Sequence, residues 1–130
     1  MNEKIIVVDD DEGILESFHA LLESEGYTVI TICSGRLLKE LIKKESPDLI
    51  LLDVLLSGED GRKICKELKG HKATKNIPII MISAHPSAAK TIHEVGADAY
   101  LEKPFEMDDL LSLIYKYTKS SQDKKLLEKL

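Results

Sequence analysis

Residues 5–11 read Ile-Ile-Val-Val-Asp-Asp-Asp, a short apolar run that stops abruptly at three acidic residues. Two later runs have the same character: residues 49–52 (LILL) precede Asp53, and residues 79–82 (IIMI) precede Ser83. A strand with one wet face alternates apolar and polar residues, whereas a strand buried on both faces is apolar throughout. The three runs therefore predict buried strands of a parallel sheet with helices on both faces.

Weaker strand candidates lie at residues 27–32 and 99–101, and segments of helical length separate all five strands. These segments carry apolar residues at steps of three and four, as amphipathic helices do. Their stripes are Ile14, Leu15, Phe18, Leu21 and Leu22; Leu37, Leu38, Leu41 and Ile42; Ile64 and Leu68; Ala88, Ala89, Ile92 and Val95; and Leu110, Leu111, Leu113 and Ile114. Ser34 is predicted to cap the second helix, and Pro86 lies near the first turn of the fourth.

The strand–helix unit thus repeats five times, which predicts an α/β fold. Right-handed crossovers place helices on both faces of a parallel sheet, and five units are too few for an eight-stranded barrel. We therefore expect an open, doubly wound sheet. Ligands bind such sheets beyond the carboxyl ends of the strands.

Composition narrows the functional classes. The 130 residues suit one domain, and the net charge of −5 argues against broad nucleic-acid binding, which needs a basic face. No segment approaches the roughly 18 to 20 apolar residues that cross a membrane. Cys33 and Cys65 have no ligand-like spacing and are expected to be reduced thiols. We expect a soluble, cytoplasmic protein that contacts neither membrane nor nucleic acid.

Chemically active residues follow four of the five strands. Asp9 and Asp10 come after the first, Asp53 after the third, Ser83 after the fourth and Lys103 after the fifth. A single aspartate at a strand end is usually a cap or turn residue. Here one edge of one sheet is predicted to bring together three aspartates, a hydroxyl and an ammonium group. This convergence favours a functional site.

Electrostatics suggests what this edge binds. Three carboxylates close together repel one another, and a divalent cation with Lys103 supplies the charge that neutralises them. Ligands that are all oxygens suit Mg²⁺ rather than zinc. Asp53 is then expected to be a nucleophile that forms an aspartyl phosphate, with Lys103 and the Ser83 hydroxyl meeting the phosphoryl oxygens.

Four motifs resemble the receiver domain of two-component response regulators, and the domain looks chemotaxis-regulator-like. They are VVDDDE (7–12), LLDVLLSGEDG (51–61), IIMISAH (79–85) and GADAYLEKPF (96–105). The resemblance runs from about residue 4 to 116. It implies a flavodoxin-like fold with five helices and strand order 2-1-3-4-5, a receiver domain at 1–118 and a charged helix extension or linker at 119–130.

The resemblance also implies roles for the residues at the edge. Asp53 is similar to the phospho-acceptor, and Asp9 and Asp10 are similar to the acidic pair that organises Mg²⁺. The backbone carbonyl of Leu55 resembles the third protein ligand, and Lys103 resembles the lysine that neutralises the phosphoryl group. The phosphoryl donor implied is a sensor histidine kinase or a phosphotransfer protein.

A signalling role is implied in the same way, rather than that of a turnover enzyme. Ser83 resembles the hydroxyl residue that follows the phosphoryl group, and Tyr100 resembles the aromatic switch residue. Together they would change the face formed by the fourth helix, fifth strand and fifth helix, which a downstream output domain or target protein reads. The bond between Lys103 and Pro104 is expected to be cis, as it typically is in this family.

Three positions near the expected phosphorylation site bear on loop rigidity and on phosphoryl lifetime. Ser57 stands where proline is usual, so we expect a less rigid loop after Asp53. Leu55 and His85 occupy the positions that set phosphoryl lifetime. The apolar Leu55 side chain is unable to orient a water, which predicts a longer lifetime than a carboxamide would give, although His85 offers another way to position water.

Two other functions stay open at this stage. One is a receiver-like module that binds partners without phosphorylation. Such members lose a residue of the acid pair, the acceptor or the lysine, whereas this sequence keeps all of them. An aspartate-nucleophile phosphatase of the haloacid dehalogenase type is the other, because residues 9–11 contain Asp-x-Asp. In that reading Gly13 replaces the expected Thr or Val, and Asp53 has no role. A stand-alone receiver and the N-terminal part of a longer regulator are equally compatible with the sequence.

Overall fold

The fold follows the predicted alternation of strands and helices, as a computed structural model of the chain shows. The structure describes residues 3–85 and 88–128, with side chains up to residue 119. The strands are β1 (Lys4–Val8), β2 (Thr28–Ile32), β3 (Leu49–Asp53), β4 (Ile79–Ser83) and β5 (Ala99–Glu102). The helices are α1 (Glu12–Ser24), α2 (Leu38–Glu45), α3 (Gly61–Gly70), α4 (Ala88–Glu94) and α5 (Met107–Glu128). Pro86 of the predicted fourth helix lies outside the described residues.

The five strands form one parallel sheet in the order β2-β1-β3-β4-β5. This confirms the predicted doubly wound fold and its strand order. Because all strands run the same way, their carboxyl ends share one edge of the sheet. The register brings Asp53, the last residue of β3, level with Ile82, so Ser83 ends β4 one residue further on.

Helices cover both faces of the sheet, which explains the continuous apolar runs. In β1, Ile5 and Val7 join a core with α1 and α5, whereas Ile6 and Val8 join a second core with α2, α3 and α4. All four residues are at most 1% exposed. Full burial of one such side chain stabilises the fold by about 1.5–3 kcal/mol, so both faces of this strand contribute.

The second helix begins differently from its prediction. The Ser34 side chain accepts from the backbone N–H of Arg36 and caps a single 3-10 turn (Gly35–Leu37), and α2 starts only at Leu38. A tertiary contact accompanies this turn, because the Glu59 carboxylate accepts from both the Ser34 hydroxyl and the Gly35 N–H. By contrast, Asp11 caps α1 directly by accepting from the N–H groups of residues 13 and 14.

A short antiparallel hairpin follows β3, and the apolar pattern of the sequence did not predict it. Its strands are Leu55–Leu56 and Glu59–Asp60, joined by a turn at Ser57 and Gly58. Gly58 has a φ of 73°, a conformation in which glycine is the least strained residue.

None of the helices in the described residues combines the length and the apolar character that a membrane-spanning helix needs.

Candidate functional site

The residues singled out from the sequence meet at the carboxyl edge of the sheet. Asp9 and Asp10 follow β1, Asp53 ends β3, Ser83 ends β4 and Lys103 follows β5. The backbone N–H of Lys103 donates to the Ser83 carbonyl at 2.8 Å, which ties the ends of β4 and β5 together. The parallel sheet therefore positions these side chains next to one another.

Three carboxylates form the centre of the site. One oxygen from each of Asp9, Asp10 and Asp53 lies within 4.8 Å of the others. Lys103 Nζ lies 3.3 Å from Asp53 Oδ2 and 3.8 Å from Asp9 Oδ2. One ammonium group against three carboxylates leaves an excess of negative charge when all are ionised.

Burial and hydrogen bonds shift the pKa values of the neighbouring Asp9 and Asp10 in opposite directions. Burial raises the pKa of Asp9 to about 6, helped by the proximity of Asp53 and opposed by the N–H of Asp11, which donates to Asp9 at 2.9 Å. The pKa of Asp10 is lowered, chiefly by the hydroxyl of Ser57, which donates to its Oδ2 at 2.6 Å. Asp9 therefore holds a proton more readily than Asp10 does.

The donor set fits a divalent cation of the Mg²⁺ type. The clustered ligand atoms are all carboxylate oxygens, which Mg²⁺ prefers, and they belong to one buried, one half-buried and one exposed residue. The excess negative charge is what a doubly charged ion would neutralise. Asp9, Asp10 and Asp53 supply the carboxylate oxygens able to hold such an ion.

Leu55 lies in the hairpin immediately beyond Asp53. Its backbone N–H donates to Asp53 Oδ1 at 3.0 Å, so this carboxylate is held by a backbone donor on one oxygen and by Lys103 on the other. The Leu55 side chain is 51% exposed. An apolar residue, half exposed to solvent, therefore donates the backbone hydrogen bond to the Asp53 carboxylate.

The hydroxyl of Ser83 is buried and already oriented. Ser83 is 1% exposed, and its Oγ accepts from the N–H of His85 at 3.0 Å. A hydroxyl that accepts one hydrogen bond still has its own proton to donate. The Tyr100 hydroxyl donates to the carbonyl of the same His85 at 3.3 Å. His85, in the β4–α4 loop, thus connects the Ser83 hydroxyl to the half-buried Tyr100.

The peptide bond between Lys103 and Pro104 is cis, as predicted.

Sequence reasoning missed Gly61 as part of the site. A Cβ on Gly61 would lie 2.1 Å from the carbonyl oxygen of Asp53, so only glycine allows α3 to begin this close to β3. Gly61 also donates its N–H to the Val54 carbonyl at 2.8 Å. The Asp60–Gly61 pair, seven and eight residues after Asp53, was the only local signal in the sequence. Such a pair indicates a turn but does not show which residues pack against it.

Residues 5–115 match the response regulator receiver domain family. The chain belongs to this family. The match spans most of the sequence and includes every residue of the site described above. It agrees with the resemblance found from the motifs.

Solved receiver domains support the assignment. A response regulator from Chloroflexus aurantiacus J-10-fl is 35% identical, with a TM-score of 0.86 over 92% of this chain and 99% of that one. The CheY-like receiver domain protein of Methanospirillum hungatei JF-1 is 29% identical, with a TM-score of 0.84 over 95% and 99% of the two chains. The BeF3-activated N-terminal receiver domain of Klebsiella pneumoniae RstA is 29% identical, with a TM-score of 0.81 over 89% and 98%.

Proposed function

We propose that this receiver domain accepts a phosphoryl group on Asp53, from a sensor histidine kinase or a phosphotransfer protein, in a Mg²⁺-dependent reaction. The observation that carries the proposal is that the Asp53 carboxylate belongs to the acidic cluster and also lies beside Lys103 Nζ, 3.3 Å from Asp53 Oδ2. The RstA receiver domain is in a BeF3-activated form, which supports activation of this chain by a phosphoryl-like group.

In the proposed reaction an oxygen of Asp53 attacks the phosphorus of a phosphohistidine. The new P–O bond forms as the P–N bond breaks, and the imidazole leaves with the electron pair and takes a proton from solvent. Lys103 neutralises part of the negative charge on the phosphoryl oxygens. Such a transfer requires positioning and charge compensation above all, and the site supplies both.

Asp9, Asp10, Asp53 and the backbone carbonyl of Leu55 are the residues that would hold Mg²⁺. When bound, the ion supplies positive charge for the carboxylates and the phosphoryl oxygens. Without it, Asp9 and Asp53 face each other with Lys103 as their nearest cation. The metal requirement therefore follows from the charges that this chain places together.

The phosphoryl group is then read by Ser83 and Tyr100. The Ser83 hydroxyl donates to a phosphoryl oxygen and draws the β4–α4 loop inward. Tyr100 follows because its hydroxyl is bonded to that loop at His85. This biases a two-state equilibrium of the α4-β5-α5 face, the surface proposed for a downstream output domain or target protein.

The proposal makes the protein a cytoplasmic phosphoprotein of a two-component system rather than a turnover enzyme. Residues 1–118 are proposed as the receiver unit, and 119–130 as a helix extension or linker. The overall charge of −5 supports protein partners over direct binding to nucleic acid.

Intact mass spectrometry after incubation with Mg²⁺ and acetyl phosphate tests the proposal. We expect the wild type to gain one phosphoryl group, and we expect EDTA to abolish the gain. Asp53→Asn should gain none. Asp108→Asn serves as a matched control, because it removes an exposed aspartate in the first turn of α5, outside the cluster.

Two outcomes would contradict the proposal in different ways. An adduct that survives Asp53→Asn would mean that another residue is the nucleophile. No adduct in any variant, with far-ultraviolet circular dichroism showing an intact fold, would favour a module that binds its partners without phosphorylation.

A further inference from the structure

Ser57 reaches from the hairpin turn to a carboxylate 47 positions earlier in the chain. Its Oγ donates to Oδ2 of Asp10 at 2.6 Å. Packing holds the neighbouring Asp9, which is 3% exposed, whereas Asp10 is exposed to solvent. The Asp10 carboxylate therefore depends on hydrogen bonding for a fixed direction more than Asp9 does.

The turn that presents Ser57 is anchored independently of Asp10. Glu59, in the second strand of the hairpin, accepts from the Ser34 hydroxyl at 2.9 Å and from the Gly35 N–H at 3.0 Å. Asp60 caps α3 by accepting from the N–H of Arg62 at 2.9 Å. Because these contacts fix the hairpin to the loop after β2 and to α3, the serine directs the aspartate rather than following it.

We propose that Ser57 is a positioning residue of the metal site. Its hydroxyl holds the Asp10 carboxylate in the orientation that keeps an oxygen within 4.8 Å of oxygens on Asp9 and Asp53. A carboxylate has about four acceptor positions, so one hydrogen bond leaves capacity for a cation. The inference rests on the proposed function, in which these three carboxylates hold Mg²⁺. Proline, usual at this position in the family, has no hydroxyl to donate.

The expected effect follows from rotamer populations. Without the serine donor, an exposed aspartate distributes over roughly three χ1 wells, so a smaller fraction of molecules holds the orientation found in the structure. Apparent affinity falls in proportion to the fraction of molecules in the binding-competent conformation. Mutation of a group that hydrogen-bonds to a metal ligand commonly lowers metal affinity tenfold or more. Loss of the hydroxyl is therefore expected to weaken Mg²⁺ binding about three- to tenfold.

Isothermal titration calorimetry with Mg²⁺, on unphosphorylated protein, measures this directly. Ser57→Ala should raise the Kd for Mg²⁺ about three- to tenfold, and Ser57→Thr, which retains a hydroxyl, should restore it to near the wild-type value. Ser24→Ala is the matched control. It removes an exposed serine whose Oγ also donates at 2.6 Å, but to the Leu21 carbonyl within α1.

A double-mutant cycle separates positioning from general stability. In an Asp10→Ala background, Ser57→Ala should leave the Kd unchanged, because the carboxylate that the hydroxyl orients is gone. Equal or tighter binding by Ser57→Ala in the wild-type background would overturn the inference and leave the proposed function standing. No Mg²⁺ binding by the wild type would overturn both.

Discussion

Replacing Gly61 by alanine should damage both the stability of the domain and the geometry of Asp53. The added Cβ would lie 2.1 Å from the Asp53 carbonyl oxygen, 3.0 Å from its carbonyl carbon and 3.1 Å from the Cα of Val54. All three neighbours are backbone atoms, so no side chain is able to rotate away. Restoring ordinary contact requires about 1 Å of movement between the start of α3 and the end of β3.

The magnitude follows from this overlap. Overpacking of a closely fitted site typically costs 1–3 kcal/mol, and a rigid backbone neighbour places this case at about 2 kcal/mol. With an m-value of about 2 kcal/mol/M, the urea midpoint should fall by about 1 M. A displacement of about 1 Å at a reacting group costs as much as 100-fold in rate, so phosphorylation by acetyl phosphate should slow markedly.

Gly70→Ala is the matched control at the other end of the same helix. A Cβ there meets nothing within 4 Å. Alanine is favoured over glycine in a helix by up to about 1 kcal/mol, so the urea midpoint should stay constant or rise. Urea unfolding in EDTA and the initial phosphorylation rate are measured on both variants. A Gly61→Ala midpoint equal to that of the wild type would refute the steric argument.

Three further predictions use other parts of the site and core. The pKa of Asp9 is raised to about 6 from an ordinary 3.8, so its contribution to folding is present below pH 4 and is lost as pH rises through 6. In EDTA, Asp9→Asn should therefore gain stability over the wild type between pH 4.5 and 7.5, and urea midpoints with a constant difference would contradict this. Leu55→Asn should shorten the phosphoryl lifetime several-fold in a mass-spectrometric time course, because a carboxamide beside Asp53 orients water. Leu37→Asn, which alters an exposed leucine outside the site, should not change it. Finally, burial raises the pKa of Cys65 to about 11 whereas Cys33 is exposed, so a disulfide reagent at pH 8 should label one thiol in folded protein and none in Cys33→Ser.

The sheet and its polar edge could be predicted because their causes are local. Unbroken apolar runs indicate strands buried on both faces, and the two cores around β1 confirm that interpretation. Parallel strands share one direction, so residues such as Asp53 and Ser83, each following a run, were bound to meet at one edge. The sequence pattern therefore sufficed to bring the acids, the hydroxyl and the lysine together.

The residues that refine this edge became visible only in three dimensions. The requirement for glycine at position 61 depends on how closely α3 approaches β3. The hydrogen bond from Ser57 to Asp10 depends on where the hairpin turn lies. The 3-10 turn after Ser34 likewise accompanies contacts with Glu59, 25 residues later in the sequence. Periodicity reports which face of an element is buried, whereas these contacts depend on distances between separate loops, and such distances are set only when the whole sheet and its helices have packed.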